Sequence, residues 1–216
     1  MISKVLICPY FGVLPEWMDA YWDNAERLKD HGYDFLLEDD EDAFRDRVRD
    51  KLGIEPPPMW GTGNVWDFRP ALGFLYEDEI AEFDFWGHTD FDCVYGRVEQ
   101  FTTDERLNAC DIFTDCAHNY IAGPWSLYRN HKDIRELFVQ HPLWQQNMTS
   151  AEPTGWVETT FTAWIRDAVA LTVVDEHRYD RPDLLRFRGD KLMHAGREIP
   201  FYHFRRSKQW PKGCVR

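Results

Sequence analysis

Asp90 and Asp92 stand two residues apart, directly after the mostly apolar run Phe83 to Thr89. Side chains two apart on an extended segment point the same way. Both carboxylates can therefore face one hard cation such as Mg²⁺ or Mn²⁺, which prefers oxygen ligands and leaves room for phosphate oxygens. In open α/β sheets ligands sit beyond the carboxyl ends of strands, where this pair falls if the run is a strand. The bland alternative is a solvated Asp-x-Asp turn. A second cluster, Cys110, Cys116 and His118, lacks both a short C-x2-C knuckle and a second Cys pair, so zinc is disfavoured. Asn147-Met148-Thr149 is a glycosylation triplet by letter only; such triplets are frequent by chance and matter only on a secretory route.

The elements that must position Asp90 and Asp92 start with Lys4 to Cys8, a short apolar run closed by Pro9 that reads as a buried strand. Pro15 to Lys29 has helical spacing at Trp17, Met18, Tyr21, Ala25 and Leu28, and Asp34 to Glu38 reads as a second strand. Strand, helix, strand is the start of a parallel α/β layer. A charged helix is predicted over Asp42 to Leu52. After a Pro- and Gly-rich loop, Asp67 is expected to cap a helix with Pro70 in its first turn that continues to Ile80. Phe83 to Thr89 is the strand that delivers the two carboxylates. Beyond Gly96 the pattern is mixed. Helices are expected near Thr103 to Ala109, Lys132 to Gln140 and Glu158 to Asp167. A strand-like stretch, Tyr120 to Tyr128, is broken by Gly123-Pro124, and Ile199 to Phe204 looks like a last strand before the basic run Arg205 to Lys208.

The chain has 216 residues, 44% of them hydrophobic and 16% aromatic, enough to fill a core, and its length suits one domain. The expectation is a single α/β domain over residues 1–216, with a nucleotide-binding half near 1–100 and an acceptor-side half near 101–216. Lys and Arg number 25 against 38 Asp and Glu, a net charge of −13 that repels phosphate backbones unless positive charge is concentrated locally, so bulk nucleic-acid binding is not expected. No stretch approaches the length of a membrane helix and no signal-peptide core is visible, so a cytoplasmic chain without a transmembrane segment is expected. The five cysteines are an odd number and are expected as thiols, not disulfides.

Phe83-Asp84-Phe85-Trp86-Gly87-His88-Thr89-Asp90-Phe91-Asp92-Cys93-Val94-Tyr95-Gly96 resembles the D-x-D segment of GT-A-type glycosyltransferases. It is most similar to a family of short polysaccharide-biosynthesis transferases that read DFWG-x-x-D-x-D-x-x-x-G. Pro9-Tyr10-Phe11-Gly12 is similar to the family's PYFG, and Glu38-Asp39-Asp40 stands at its Thr-Asp-Asp turn. Asp67-Phe68-Arg69-Pro70-Ala71-Leu72-Gly73 resembles DFKPAYG, Leu127-Tyr128-Arg129-Asn130 resembles LYRN, and Tyr202-His203-Phe204 with Lys208 resembles a terminal H-F-x-x-x-K. The motifs occur in order across nearly the whole chain.

The resemblance implies a GT-A-like mixed sheet flanked by helices. It implies a nucleotide-sugar donor, with a uridine diphosphate sugar expected, a glycan or glycoconjugate acceptor, and Mn²⁺ or Mg²⁺ as cofactor. Asp90 and Asp92 would hold the cation, with His203 as a further ligand from the chain's end. Arg69 and Lys208 would add positive charge at the phosphates, Lys208 also assisting the leaving group. Tyr10, Gly12 and Asp39 would lie around base and ribose. Where the family has an Asp-Glu pair, this chain has Trp156-Val157-Glu158-Thr159, so Glu158 alone would be the catalytic base. Gly123-Pro124-Trp125-Ser126 replaces G-H-x-T, so acceptor identity does not carry over. Of the tryptophans, Trp125 and Trp156 are expected as sugar platforms on the acceptor side, and Trp60, Trp66, Trp86, Trp144, Trp164 and Trp210 as packing. The chain is also compatible with being part of a larger multi-domain transferase.

Two other classes fit parts of the chain. Asp90-Phe91-Asp92-Cys93-Val94 fits the D-x-D-x-[TV] opening of aspartyl-phosphate phosphohydrolases, although those enzymes carry it near the amino end, with a later acidic pair. Here Asp39-Asp40 comes first. A non-catalytic, Trp-rich glycan-binding module would make the D-x-D and the terminal His and Lys accidental, and its binding would not depend on metal.

Overall fold

The computed structural model describes residues 1–59, 64–114, 121, 124–166, 168–173 and 182–204. Lys4–Pro9 forms β1 and Tyr33–Glu38 forms β2, joined through helix Met18–Glu26 (α1) and a 3₁₀ turn at Lys29–His31. The two strands run parallel, Cys8 beside Leu37 and Pro9 beside Glu38, as the strand–helix–strand pattern predicts. Along β1, Val5 and Ile7 pack with Phe44 and Val48, whereas Leu6 and Cys8 pack with Tyr21 and Ala25. A strand covered on both faces has no polar side, which is why Val5 to Cys8 reads as an unbroken apolar run. Helix Glu41–Leu52 (α2) covers the first face; Asp40 caps it, accepting from the Ala43 N–H at 3.0 Å. α1 covers the second face.

The remaining strands are Phe85–Thr89 (β3), Cys93–Tyr95 (β4), Ile112–Thr114 (β5), Trp125–Arg129 (β6), Leu171–Val173 (β7), Leu185–Arg188 (β8), Lys191–His194 (β9), Arg197–Glu198 (β10) and Phe201–His203 (β11). Among the described residues, the main sheet is ordered β2-β1-β3-β6-β5-β7, with β6 antiparallel to its neighbours. β1 lies between β2 and β3 and is parallel to both. The chain leaves β1 to one side and returns on the other, so the crevice between the carboxyl ends of β1 and β3 is a topological switch point. β8, β9 and β10 form a small antiparallel sheet, and β11 pairs with β4, His203 opposite Cys93. Val94, Leu192, Ile199, Tyr202 and Phe204 make a core of their own beneath that pair.

Several predicted elements are altered. The helix expected from Asp67 to Ile80 is a 3₁₀ helix, Val65–Ala71, with Pro70 inside it, followed by one α-turn at Leu72–Leu75. Asp67 does not cap it. The predicted Lys132 to Gln140 helix splits into Lys132–Arg135 and a 3₁₀ segment, Leu137–Gln140. The helix expected from Glu158 starts later, at Thr160–Ile165, behind a 3₁₀ turn at Trp156–Glu158, and Asp167 lies outside the described residues. Trp125 and Trp156 are not platforms: they are 0% and 2% exposed, because both fill core positions. Trp66, assigned to packing, is 44% exposed instead. Gly73 meets Trp86 so closely that an added Cβ would lie 2.1 Å from the indole, and that indole stacks on Tyr128 with centroids 4.2 Å apart. Three separate sequence motifs thus form one packing unit.

Candidate metal centre

β3 ends at Thr89, and Asp90-Phe91-Asp92 makes the turn into β4. Phe91 is the anchor of that turn. Its ring is 6% exposed and lies 5.0 Å from Tyr21 and 5.9 Å from Trp22, both on α1, while Trp17 Nε1 donates to Phe91 O at 3.0 Å. With Phe91 drawn into the α1-side core, the flanking carboxylates point away from it. Asn24 holds the following strand: its Oδ1 accepts from Tyr95 N–H at 2.6 Å and its Nδ2 donates to Tyr95 O at 3.1 Å.

The β4–β11 pairing then brings in the tail. Phe204 N–H donates to Asp92 O at 2.8 Å, and His203 Nε2 stands 3.1 Å from Asp92 Oδ1 and 3.7 Å from Asp90 Oδ2. Asp90, Asp92 and His203 each offer one ligand atom, and these atoms lie within 4.8 Å of one another. All three side chains are partly buried, 23%, 19% and 11% exposed. Arg69, 7% exposed, donates from Nη2 to Asp90 Oδ1. Burial raises the Asp90 carboxyl above the usual carboxylate range. Arg69 and His203 oppose that rise and the charge of Asp92 adds to it. Two carboxylates and an imidazole suit a hard or borderline divalent ion. The residues fit Mn²⁺ or Mg²⁺.

A pocket beside this cluster is lined by Pro9, Val65, Trp66, Arg69, His88, Thr89 and Asp90. It lies at the switch-point crevice between β1 and β3. Trp66 and Arg69 are three apart on a 3₁₀ helix, where such side chains stack on one face, and the guanidinium carbon is 5.8 Å from the Trp66 ring centroid. Trp66, expected as packing, is instead carried to the pocket wall because the 3₁₀ helix begins at Val65, before Asp67. Its position three before Arg69 is the usable signal.

The other predicted residues fall as follows. Tyr10 follows β1, its ring 5.5 Å from that of Phe91, and Gly12 adopts φ +127, a conformation that side-chain-bearing residues rarely take. Asp39 is exposed at the adjoining end of β2. Glu158 is exposed on the turn Trp156–Glu158. That turn is tied to the helix bearing Arg69, since Asp67 accepts from the amides of Thr154 at 2.7 Å and Gly155 at 3.1 Å, and Trp156 Nε1 donates to Asp67 O at 3.0 Å. Lys208 lies outside the described residues, as do Cys116 and His118. Cys110 is buried. No described helix is long and apolar enough to cross a membrane.

A family profile described as "Family of unknown function (DUF6625)" matches residues 43–190. No curated protein matches the chain. Among solved structures, the chain is similar to a glycosyltransferase involved in the glycosylation of the major capsid of PBCV-1, with a TM-score of 0.56, 12% identity, and 95% of each chain covered. It also aligns with the catalytic domain of Drosophila beta1,4galactosyltransferase 7, solved in complex with xylobiose, at a TM-score of 0.45 and 13% identity over 82% of this chain and 67% of that one. The mixed α/β architecture is that of a GT-A-like glycosyltransferase fold.

Proposed function

The chain belongs to the DUF6625 family, and we propose that it is a single-domain, metal-dependent glycosyltransferase. It moves a sugar from a nucleotide-sugar, taken to be a uridine diphosphate sugar, to a hydroxyl of a glycan acceptor. The observation that carries this reading is the convergence of Asp90, Asp92 and His203 at the carboxyl end of β3, from positions more than a hundred residues apart, on a glycosyltransferase-like fold.

Asp90, Asp92 and His203 would hold the cation, Mn²⁺ or Mg²⁺. When bound, the cation supplies Lewis-acid stabilisation of the departing diphosphate. Arg69 and Lys208 add positive charge where negative charge grows in the transition state. Tyr10 offers an aromatic face to the base, Asp39 accepts hydrogen bonds from ribose hydroxyls, and Gly12 lets the backbone turn between them. Trp66 presents its exposed ring at the pocket mouth. Glu158 takes the proton of the acceptor hydroxyl as its oxygen bonds to the anomeric carbon and the nucleoside diphosphate leaves, a single displacement that inverts that carbon.

A thermal-shift panel of nucleotide sugars tests the donor. A ligand bound only by the folded state raises the melting temperature. Uridine diphosphate sugars should raise it markedly more with Mn²⁺ than with a chelator, and equal shifts would argue for a metal-independent glycan-binding module. Retention of anomeric configuration in the product would remove Glu158 from its role.

A further inference from the structure

One carboxylate is asked to serve two cations. Asp90 Oδ1 accepts from Arg69 Nη2, while Asp90 Oδ2 faces His203 and, beyond it, Asp92. Arg69 is 7% exposed and permanently charged, so its interaction with Asp90 is only weakly screened by water. A divalent ion entering between Asp90, Asp92 and His203 meets a positive charge already on one of its ligands. It must bind beside the guanidinium, at a repulsive cost, or take Asp90 from it and leave a buried charge unpaired. A diphosphate removes that conflict, because its oxygens accept from a guanidinium in the same forked geometry that a carboxylate does. Arg69 already lines the pocket, beside the exposed ring of Trp66, which can hold the guanidinium there by its π face once Asp90 is released.

We propose that Arg69, by exchanging Asp90 for the phosphates, makes cation binding depend on the diphosphate. Without diphosphate the Arg69–Asp90 pair suppresses occupation of the metal centre. With diphosphate, Arg69 turns to the phosphates and Asp90 becomes available to the cation. This rests on the reading of the cluster as a nucleotide-sugar site, and it adds an order: the cation binds poorly alone and well with the donor. By linkage, the diphosphate tightens the cation by the same factor as the cation tightens the diphosphate. A purely structural Arg69–Asp90 pair predicts the opposite sign on mutation, since losing a neutralising partner disturbs the carboxylates and weakens cation binding.

The test is Mn²⁺ binding followed by electron paramagnetic resonance, with and without saturating uridine diphosphate. It compares the parent with Arg69→Met, Arg69→Gln and Asp90→Asn, each checked for folding by circular dichroism. Met keeps the aliphatic stem and Gln keeps a polar head, so one neutral variant can stand in for the other if it folds poorly. In the parent, uridine diphosphate should tighten Mn²⁺ by about tenfold or more. In the Arg69 variants, Mn²⁺ alone should bind roughly tenfold tighter than in the parent, and the tightening by uridine diphosphate should shrink. If the Arg69 variants bind Mn²⁺ alone no tighter than the parent, while Asp90→Asn abolishes binding, the coupling role is overturned and the metal centre stands. If Asp90→Asn binds Mn²⁺ as the parent does, or no protein binds it even with uridine diphosphate, the metal centre falls and the coupling falls with it.

Discussion

Asp67 and Arg69 stand two residues apart on one 3₁₀ helix and serve two unlike regions. Asp67 is 3% exposed and accepts from the backbone amides of Thr154 and Gly155, with the 2% exposed Trp156 donating to its carbonyl. Those partners are fixed in the main chain or packed in the core. Arg69 leads to the opposite situation, in which Asp90 and Asp92 face a guanidinium and an imidazole, with a 44% exposed tryptophan beside them. Burial raises the carboxyl of Asp67 and that of Asp90 alike. What separates them is the partner. A carboxylate held by amides closes a joint, whereas a carboxylate set against a second carboxylate and two side-chain cations has partners that a ligand can replace.

The largest expected effect is on the closed region. Trp156→Ala should cost about 3–5 kcal/mol of stability, measured by urea denaturation, because the indole fills core volume and its N–H is spent on Asp67. A loss near zero would make that region a loosely docked flap. Next, Asp90→Asn should lower Mn²⁺-dependent uridine diphosphate affinity on the order of a hundredfold, with a smaller loss of stability, because the Asn Oδ1 can still accept from the buried Arg69 guanidinium. Calorimetry reads the first and a thermal scan the second; a large fall in melting temperature with binding kept would turn the centre into another structural joint. Asp67→Ala should cost about 2 kcal/mol by leaving two buried amides without an acceptor, yet the folded fraction should bind the nucleotide much as the parent does.

Trp66→Ala inverts the Trp156 result. Its stability change should stay under about 0.5 kcal/mol, as at other surface positions, while donor binding weakens by about 1 kcal/mol through the lost ring face. Unchanged binding would take Trp66 out of the site. The smallest effect is a pH dependence. Burial raises the Asp67 carboxyl in the folded state, and a raised folded value stabilises fully below the unfolded value and is lost as pH climbs through the folded one. The stability of the parent minus that of Asp67→Asn should therefore fall as pH rises from about 4 toward neutrality. A difference that grows over that range would mean that the amides outweigh burial at Asp67.

What could be read from the sequence follows from how local the cause is. β1 and β3 were legible because a strand buried on both faces writes its burial into consecutive residues, as Val5 to Cys8 and Phe85 to Thr89 do. Asp40 was less so: it stands in the predicted acidic turn, and only its contact with Ala43 reveals a cap. Asp90 and Asp92 were legible as a pair because their geometry depends on two residues of extended chain. Asp67 misled for the same reason. Its letters spell an N-cap, but the acceptor it provides is used by amides 87 and 88 residues away, and no local pattern carries that. The tryptophans fail similarly: Trp66 and Trp125 are one residue type with opposite exposure, decided by whether the 3₁₀ helix or the sheet core receives them. β4, β5 and β11 have three residues each, too few for a period to emerge. His203 was reached only through motif resemblance, since the pairing that sets it beside Asp92 spans more than a hundred residues.

The most direct test of the central claim is a calorimetric titration of uridine diphosphate into the parent protein, once with Mn²⁺ and once with a chelator, repeated on His203→Ala. A metal centre built by Asp90, Asp92 and His203 predicts tight binding with Mn²⁺, weak binding without it, and an affinity in His203→Ala that falls toward the chelator value. Equal affinities with Mn²⁺ and with chelator, or a His203→Ala protein that keeps the full Mn²⁺ dependence, would contradict it.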